Sequence, residues 1–214
     1  MAIVKKGPAA GWSGKVGNQV YSQQKNGETT VRESPVSSNI PATTKQLAAR
    51  EVTSLCAKCL KPLKTFVKVG SSAKSLPAGK TPYNLMVSNA RAQAIRGKYP
   101  DQYVDFSRLL ITQGTLFSPQ DASVRVTKTG FSFRWNPEIG DEDGHYSDHV
   151  MVMAYFPVLK KTRYKTCCAE RDKGEYILPL DGIRKGYTAE IYISFITDDH
   201  DHISDSVYLG QLTW

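Results

Sequence analysis

Cysteine and histidine are the side chains of this sequence best able to hold a metal or act as a nucleophile, so their spacing bounds the chemistry. Cys56-x-x-Cys59 has the spacing of half a zinc site or of a redox pair. Zinc needs two further ligands, and Cys167 and Cys168 are neighbours in an expected strand, where their side chains point to opposite faces. A redox pair opens a helix after a strand, whereas Cys56 and Cys59 fall in mid-helix on an apolar stripe. The four cysteines therefore read as core thiols. The histidines sit in or beside acidic loops: His145 and His149 around Asp141-Glu-Asp-Gly144, His200 and His202 within Asp198-Asp-His-Asp-His-Ile203. Alternating Asp and His can offer carboxylate and imidazole to a divalent ion, but the same pattern marks a polar hairpin tip, and no glycine-anchored calcium loop accompanies it. No serine or cysteine lies in a nucleophile motif, and no glycine-rich phosphate loop links a strand to a helix. The expectation is a chain with no catalytic residue, no metal and no cofactor.

Lysine is the other chemistry-bearing type. Lys58, Lys61, Lys64 and Lys68 recur along one face of an expected helix, with Arg91, Arg96 and Lys98 nearby in the chain and Lys15, Lys25 and Arg32 in an N-terminal ribbon. Lysines so spaced neutralise phosphates without reading bases, giving sequence-independent, salt-sensitive binding; the alternative is a solvated helix face. The net charge of +8 is unevenly spread. Residues 1–104 carry 16 Lys/Arg against 4 Asp/Glu, and residues 105–214 carry 12 against 16. Such asymmetry implies that the N-terminal part meets something anionic: nucleic acid, an acidic partner, or the acidic half of the protein itself.

These residues have to be positioned by particular elements. Asn26-Gly27 between two strand-compatible runs over 13–32 predicts a β-hairpin, too polar to be stable alone and therefore expected to dock. Gly11, Gly14 and Gly17 read either as bulges or as flexible linker. Thr43-Thr-Lys-Gln46 fits a capping box. It opens an amphipathic helix with Val52, Leu55, Cys56, Cys59, Leu60, Leu63, Phe66 and Val67 on its stripe and a kink at Pro62. Thr81-Pro82 caps a second helix, expected to run to about Arg96, with Tyr83, Val87, Ala90 and Ala94 buried. After Lys98-Tyr-Pro-Asp101 the period changes to two. Strands are expected over 108–112, 122–127, 130–135, 149–156, 163–168, 175–180, 187–196 and 206–213, an antiparallel sandwich with Trp135 in its core. In the 187–196 strand, Ala189, Ile191, Ile193 and Phe195 share the core face, leaving Tyr187, Glu190, Tyr192 and Ser194 for the outside or the rim.

The start of the sequence lacks the apolar core of a signal peptide, and no apolar run reaches the length of a membrane span. Four cysteines are too few for a disulfide framework in a chain of 214 residues. The location expected on these grounds is cytoplasmic, or a virion if the chain is phage-derived, with no membrane partner.

From Ala122 onward the order of elements resembles a fibronectin type III or immunoglobulin-like domain. Trp135 ends an early strand, and Leu180-x-x-Ile183-x-x-Gly-Tyr187 resembles the approach to that fold's tyrosine corner, which implies that the Tyr187 hydroxyl turns back onto the preceding loop. Over its whole length the chain also resembles a Bacteroidota family of about 200-residue proteins described only as a domain of unknown function. The motifs that carry this are Met1-Ala-Ile-Val-Lys-Lys-Gly-Pro8, Ser13-Gly-Lys-Val-Gly-Asn18, Val31-Arg-x-x-Pro35, Thr44-Lys-Gln-Leu-Ala-Ala-Arg50, Tyr103-x-Asp-Phe-Ser-Arg-Leu-Leu110 and Ser206-Val-Tyr-Leu-Gly210. The resemblance implies a phage-related or mobile-element setting. The expected architecture is α+β: a basic hairpin-and-helices module over 1–104 and an immunoglobulin-like β-sandwich over 105–214. The expected function is that of a non-enzymatic structural or assembly protein that docks on a protein partner or on itself through the basic module. The alternative is sequence-independent nucleic-acid binding through the lysine face, with Lys15, Lys25, Arg32, Lys58, Lys61, Lys64, Lys68, Arg91 and Arg96 as the contact residues.

Overall fold

A computed structural model describes residues 2–24, 26–36, 40–69, 81–138 and 144–214, and divides the chain into two compact units, Met1–Ala42 and Thr43–Trp214. The first unit is a four-stranded antiparallel sheet of β1 (Ala2–Val4), β2 (Gly14–Val16), β3 (Gln19–Gln23) and β4 (Thr29–Glu33), in the order β1-β4-β3-β2. The expected hairpin is thus the centre of a larger sheet. Gly17, at φ +58, makes the second tight turn between β2 and β3, since left-handed backbone suits glycine best. Cross-strand rows alternate between the two faces. Tyr21 and Thr29 lie on one face, where the Trp12 ring meets Tyr21 at 5.5 Å and the Gly11 N–H donates to Thr29 Oγ1 at 2.7 Å. The opposite face carries Ile3, Thr30 and Ser22 in one row and Lys15, Val20 and Arg32 in the next.

The second unit opens with α1 (Thr44–Leu60). Its capping box forms as the sequence predicts: the Gln46 N–H donates to Thr43 Oγ1 and the Thr43 N–H donates to Gln46 Oε1. Pro62 cannot supply an i→i−4 bond, so 61–63 tightens into a 3-10 turn before α2 (Lys64–Val69). The next helix is shorter than expected. α3 (Pro82–Asn89) widens into a π turn at Ala90–Ala94, and the chain leaves it as β5 (Ile95–Arg96), which pairs with β6 (Tyr103–Val104).

Seven strands follow in two sheets. β7 (Ser123–Val126), β8 (Gly130–Arg134) and β11 (Glu175–Pro179) form one, in the order β11-β8-β7. β9 (His149–Phe156), β10 (Lys161–Lys165), β12 (Thr188–Ile196) and β13 (Val207–Thr213) form the other, in the order β10-β9-β12-β13. This is an antiparallel sandwich of the immunoglobulin-like, fibronectin type III-like kind, within an α+β chain. The expected strand over 108–112 is absent: Phe106–Arg108 is a 3-10 turn, and the backbone of Ile111 and Thr112 bonds to the Ser206 hydroxyl instead.

The β10-β9-β12-β13 sheet is covered on both faces. Val150, Val152, Ala154 and Phe156 of β9 meet Phe131, Phe133, Trp135, Ile191, Ile193 and Phe195 inside the sandwich. Met151, Met153 and Tyr155, from the alternate positions, meet Cys56, Leu60, Leu63, Phe66 and Met86 of the helices. The helical layer and the outer face of the sandwich share this second core, so the chain divides at Ala42/Thr43 and the boundary expected at 104/105 falls inside one unit. For the same reason Glu190, Tyr192 and Ser194 are buried rather than outward-facing. Glu190 is satisfied there by the Tyr208 hydroxyl at 2.6 Å and Gln211 Nε2 at 2.9 Å, while the Tyr192 hydroxyl donates to the Phe106 carbonyl.

The corner before β12 differs from the expected one. Trp214 closes it, where Tyr187 was expected to: its Nε1 donates to the Ile183 carbonyl at 3.1 Å, and its backbone pairs with Gly186 and Tyr187. Its ring packs edge-on against Phe131. Tyr187 contributes packing to the sandwich core.

Candidate functional site

The lysine row is exposed as the periodicity requires: Lys58 near the end of α1, Lys61 in the 3-10 turn, Lys64 and Lys68 on α2. With the stripe of Cys56, Leu60, Leu63, Phe66 and Val67 turned onto the sheet, the opposite side is left to solvent. The fold adds a cation from far along the chain. Thr162 Oγ1 donates to the Pro62 carbonyl at 3.2 Å, which holds the start of β10 against the 3-10 turn. The turn just before it places Lys160, at φ +50, beside the helix end. Ser54, Ala57, Lys58, Lys61, Pro62 and Lys160 line an open groove of about 630 Å³. None of these lysines, nor Lys64 or Lys68, is ion-paired with a described residue.

The other expected contact residues are distributed elsewhere. Arg91 is exposed and lines a shallow depression with Asn84, Val87, Ser88 and Ala92, and Arg96 is half-buried in the β5–β6 ribbon. Lys15 and Arg32 are in the first unit, both exposed and flanking Val20 in one cross-strand row. Lys25 lies outside the described residues. Lys160 is the residue that sequence reasoning missed. No periodicity links it to the helix, and only the Thr162 to Pro62 contact brings the two together.

The cysteines and histidines meet in part. Cys167 Sγ is 3.2 Å from His200 Nε2, and His149 Nε2 is 3.1 Å from Asp198 Oδ1. His145 and His202 line a small cleft of about 190 Å³ with Thr115, Leu116 and Thr197. Among the described residues no group of three or more His, Cys, Asp or Glu is arranged to hold a metal ion. Burial pushes the Cys167 thiol up and the Asp198 carboxylate adds to the rise, the opposite direction from that of an activated nucleophile. Burial likewise raises Cys56, Cys59 and Cys168, the last to about 12. Cys167 and Cys168 follow β10 in a bend, and they still face opposite ways, one packing on the helical core and the other on the sandwich core.

Fold and site together define an α+β protein in which an immunoglobulin-like sandwich carries a basic helical layer, preceded by a small sheet. The chain belongs to the family of unknown function DUF6266, whose model matches residues 11–210. It is similar to the solved fibronectin type III domain of the human collagen alpha-1(XX) chain, at 14% identity over 46% of this chain and 83% of that one, with a TM-score of 0.34. No curated protein matches it. No helix among the described residues is long and apolar enough to cross a membrane.

Proposed function

We propose that this protein is a non-enzymatic structural or assembly component that docks through its basic N-terminal part, with the sandwich as a rigid body that displays or spaces it. One observation carries this reading: among the described residues of Met1–Ala42, Thr29 is buried and no apolar side chain is. Ile3 (52%), Trp12 (45%) and Val16 (52%) are exposed instead. A sheet of three or more strands needs a covered hydrophobic face to persist. With Lys15 and Arg32 beside Val20 on the face that also carries Ile3, the cover called for there is a partner surface that presents carboxylates around a small apolar patch. The virion or mobile-element setting belongs to the same proposal.

Light scattering of the full chain against a chain lacking residues 1–42 tests it. All buried apolar residues among those described lie in Thr43–Trp214, so the truncated chain keeps its cores. Assembly by the full chain that is lost on truncation is the expected result. Equal assembly by both rejects docking through this part. The second reading, sequence-independent nucleic-acid binding, is favoured by the uncompensated lysine row of α1 and α2.

A further inference from the structure

We propose that the groove between the end of α1 and the 157–160 turn seats the phosphate backbone of a nucleic acid, with Lys160 as a contact residue alongside Lys58 and Lys61. The inference deepens, and rests on, the second reading above. Lys58 and Lys61 are one helical turn apart, and Lys160 enters from the β9–β10 connection about 100 residues later in the chain. Three cations lining one groove without a described carboxylate partner repel one another, and a bound anion relieves that repulsion. Lysines exposed on a single helix face need no such convergence. Here a part-buried hydrogen bond, Thr162 to Pro62, fixes the second segment against the first.

The lining also limits what the ligand is. The groove has a small-residue floor of Ser54, Ala57 and Pro62 and, among the described residues that line it, no aromatic ring on which a base could stack and no amide side chain to read a base edge. The contact is therefore with the backbone and indifferent to sequence. Lys64 and Lys68 continue the row along α2. Ten residues at about 1.5 Å per residue span roughly 15 Å, several phosphate spacings of a strand that advances about 3.4 Å per nucleotide. A linear polyanion fills that length, and a single phosphate does not.

The test is a fluorescence-anisotropy titration of the full chain with a labelled 20-base-pair duplex of mixed sequence, repeated between 50 and 200 mM salt. The wild type is expected to bind with a log–log salt slope of about −4.5, since about 0.9 is contributed per neutralised phosphate and about five lysines are engaged. Lys160→Glu is expected to weaken binding at least fivefold at 50 mM salt and to flatten the slope by about one unit. Lys128→Glu changes net charge equally at an exposed turn of the sandwich and should change affinity less than twofold. Circular dichroism of each variant controls for folding. No binding by the wild type at 50 mM salt overturns the second reading and the groove together. Binding that Lys160→Glu and Lys128→Glu weaken equally overturns the groove alone. Tighter binding to polyglutamate of matched charge than to the duplex also overturns it, in favour of an acidic protein partner.

Discussion

Replacing Asp148 by alanine is the substitution whose cost the structure defines best. Its side chain is 2% exposed and that of Arg171 is 1% exposed, with Arg171 Nη2 3.1 Å from Asp148 Oδ2. The same carboxylate oxygen accepts from the His145 N–H at 2.9 Å, and the Asp148 carbonyl accepts from the Arg171 N–H. Around the guanidinium stand the Phe117 carbonyl and the face of Phe195, whose centroid is 3.8 Å from Cζ, while Nε has no partner among the described residues. Burial already pulls the Arg171 guanidinium below its usual range, and Asp148 is the first influence opposing that. Removing the carboxylate leaves a buried cation with one carbonyl and one ring, an expected loss of about 3–5 kcal/mol. A domain of this kind holds about 5–15 kcal/mol in all. In urea, at about 2 kcal/mol per molar, the unfolding midpoint should fall by roughly 2 M. Adding Arg171→Met to Asp148→Ala should recover stability, because an apolar side chain carries no desolvated charge. A midpoint shift under about 0.5 M for Asp148→Ala, or a double variant less stable than the single one, would refute the reasoning.

Two further outcomes follow from local geometry. Burial raises Cys168 from 9.0 and Tyr155 from 10.0, each to about 12, so the folded chain holds protons that the unfolded chain releases. That stability is fully present below about pH 9 and lost as pH rises towards 12; urea midpoints at pH 8, 9.5 and 11 should fall in that order, and a flat series contradicts it. Thr43→Ala removes the acceptor for the Gln46 N–H at the start of α1 and should cost about 1 kcal/mol in the same assay, with Thr43→Ser close to wild type.

How much of this was legible in the sequence depended on how local the cause was. The Thr43/Gln46 capping box, the Pro62 break and the alternation at Ala189, Ile191, Ile193 and Phe195 are decided within a few residues, and each is present. The covering of Glu190, Tyr192 and Ser194 was not seen, because a period of two reports one buried face and says nothing of what lies on the other. The signal lay in β9, whose run from Val150 to Phe156 has no polar alternation at all, the mark of a strand covered on both sides. The Leu180-x-x-Ile183-x-x-Gly-Tyr187 pattern points to Tyr187 as the corner residue, whereas the indole N–H that reaches Ile183 comes from Trp214, just past β13, which is brought there by the pairing of β13 with β12. Lys160 was missed in the same way: its place in the groove depends on a tertiary hydrogen bond. The N-terminal sheet was underestimated because β1 is three residues long and pairs with β4 across most of the unit.

The central claim is that the N-terminal sheet is completed by something outside itself. Hydrogen exchange over a dilution series of the full chain measures this directly, by comparing peptides that cover β3 and β4 with peptides that cover β9 and β12. In the dilute chain the account predicts little protection of β3 and β4 against strong protection of β9 and β12, with protection of the N-terminal strands returning on assembly. Equal protection of both sets at the lowest concentration, unchanged on concentrating, would contradict it.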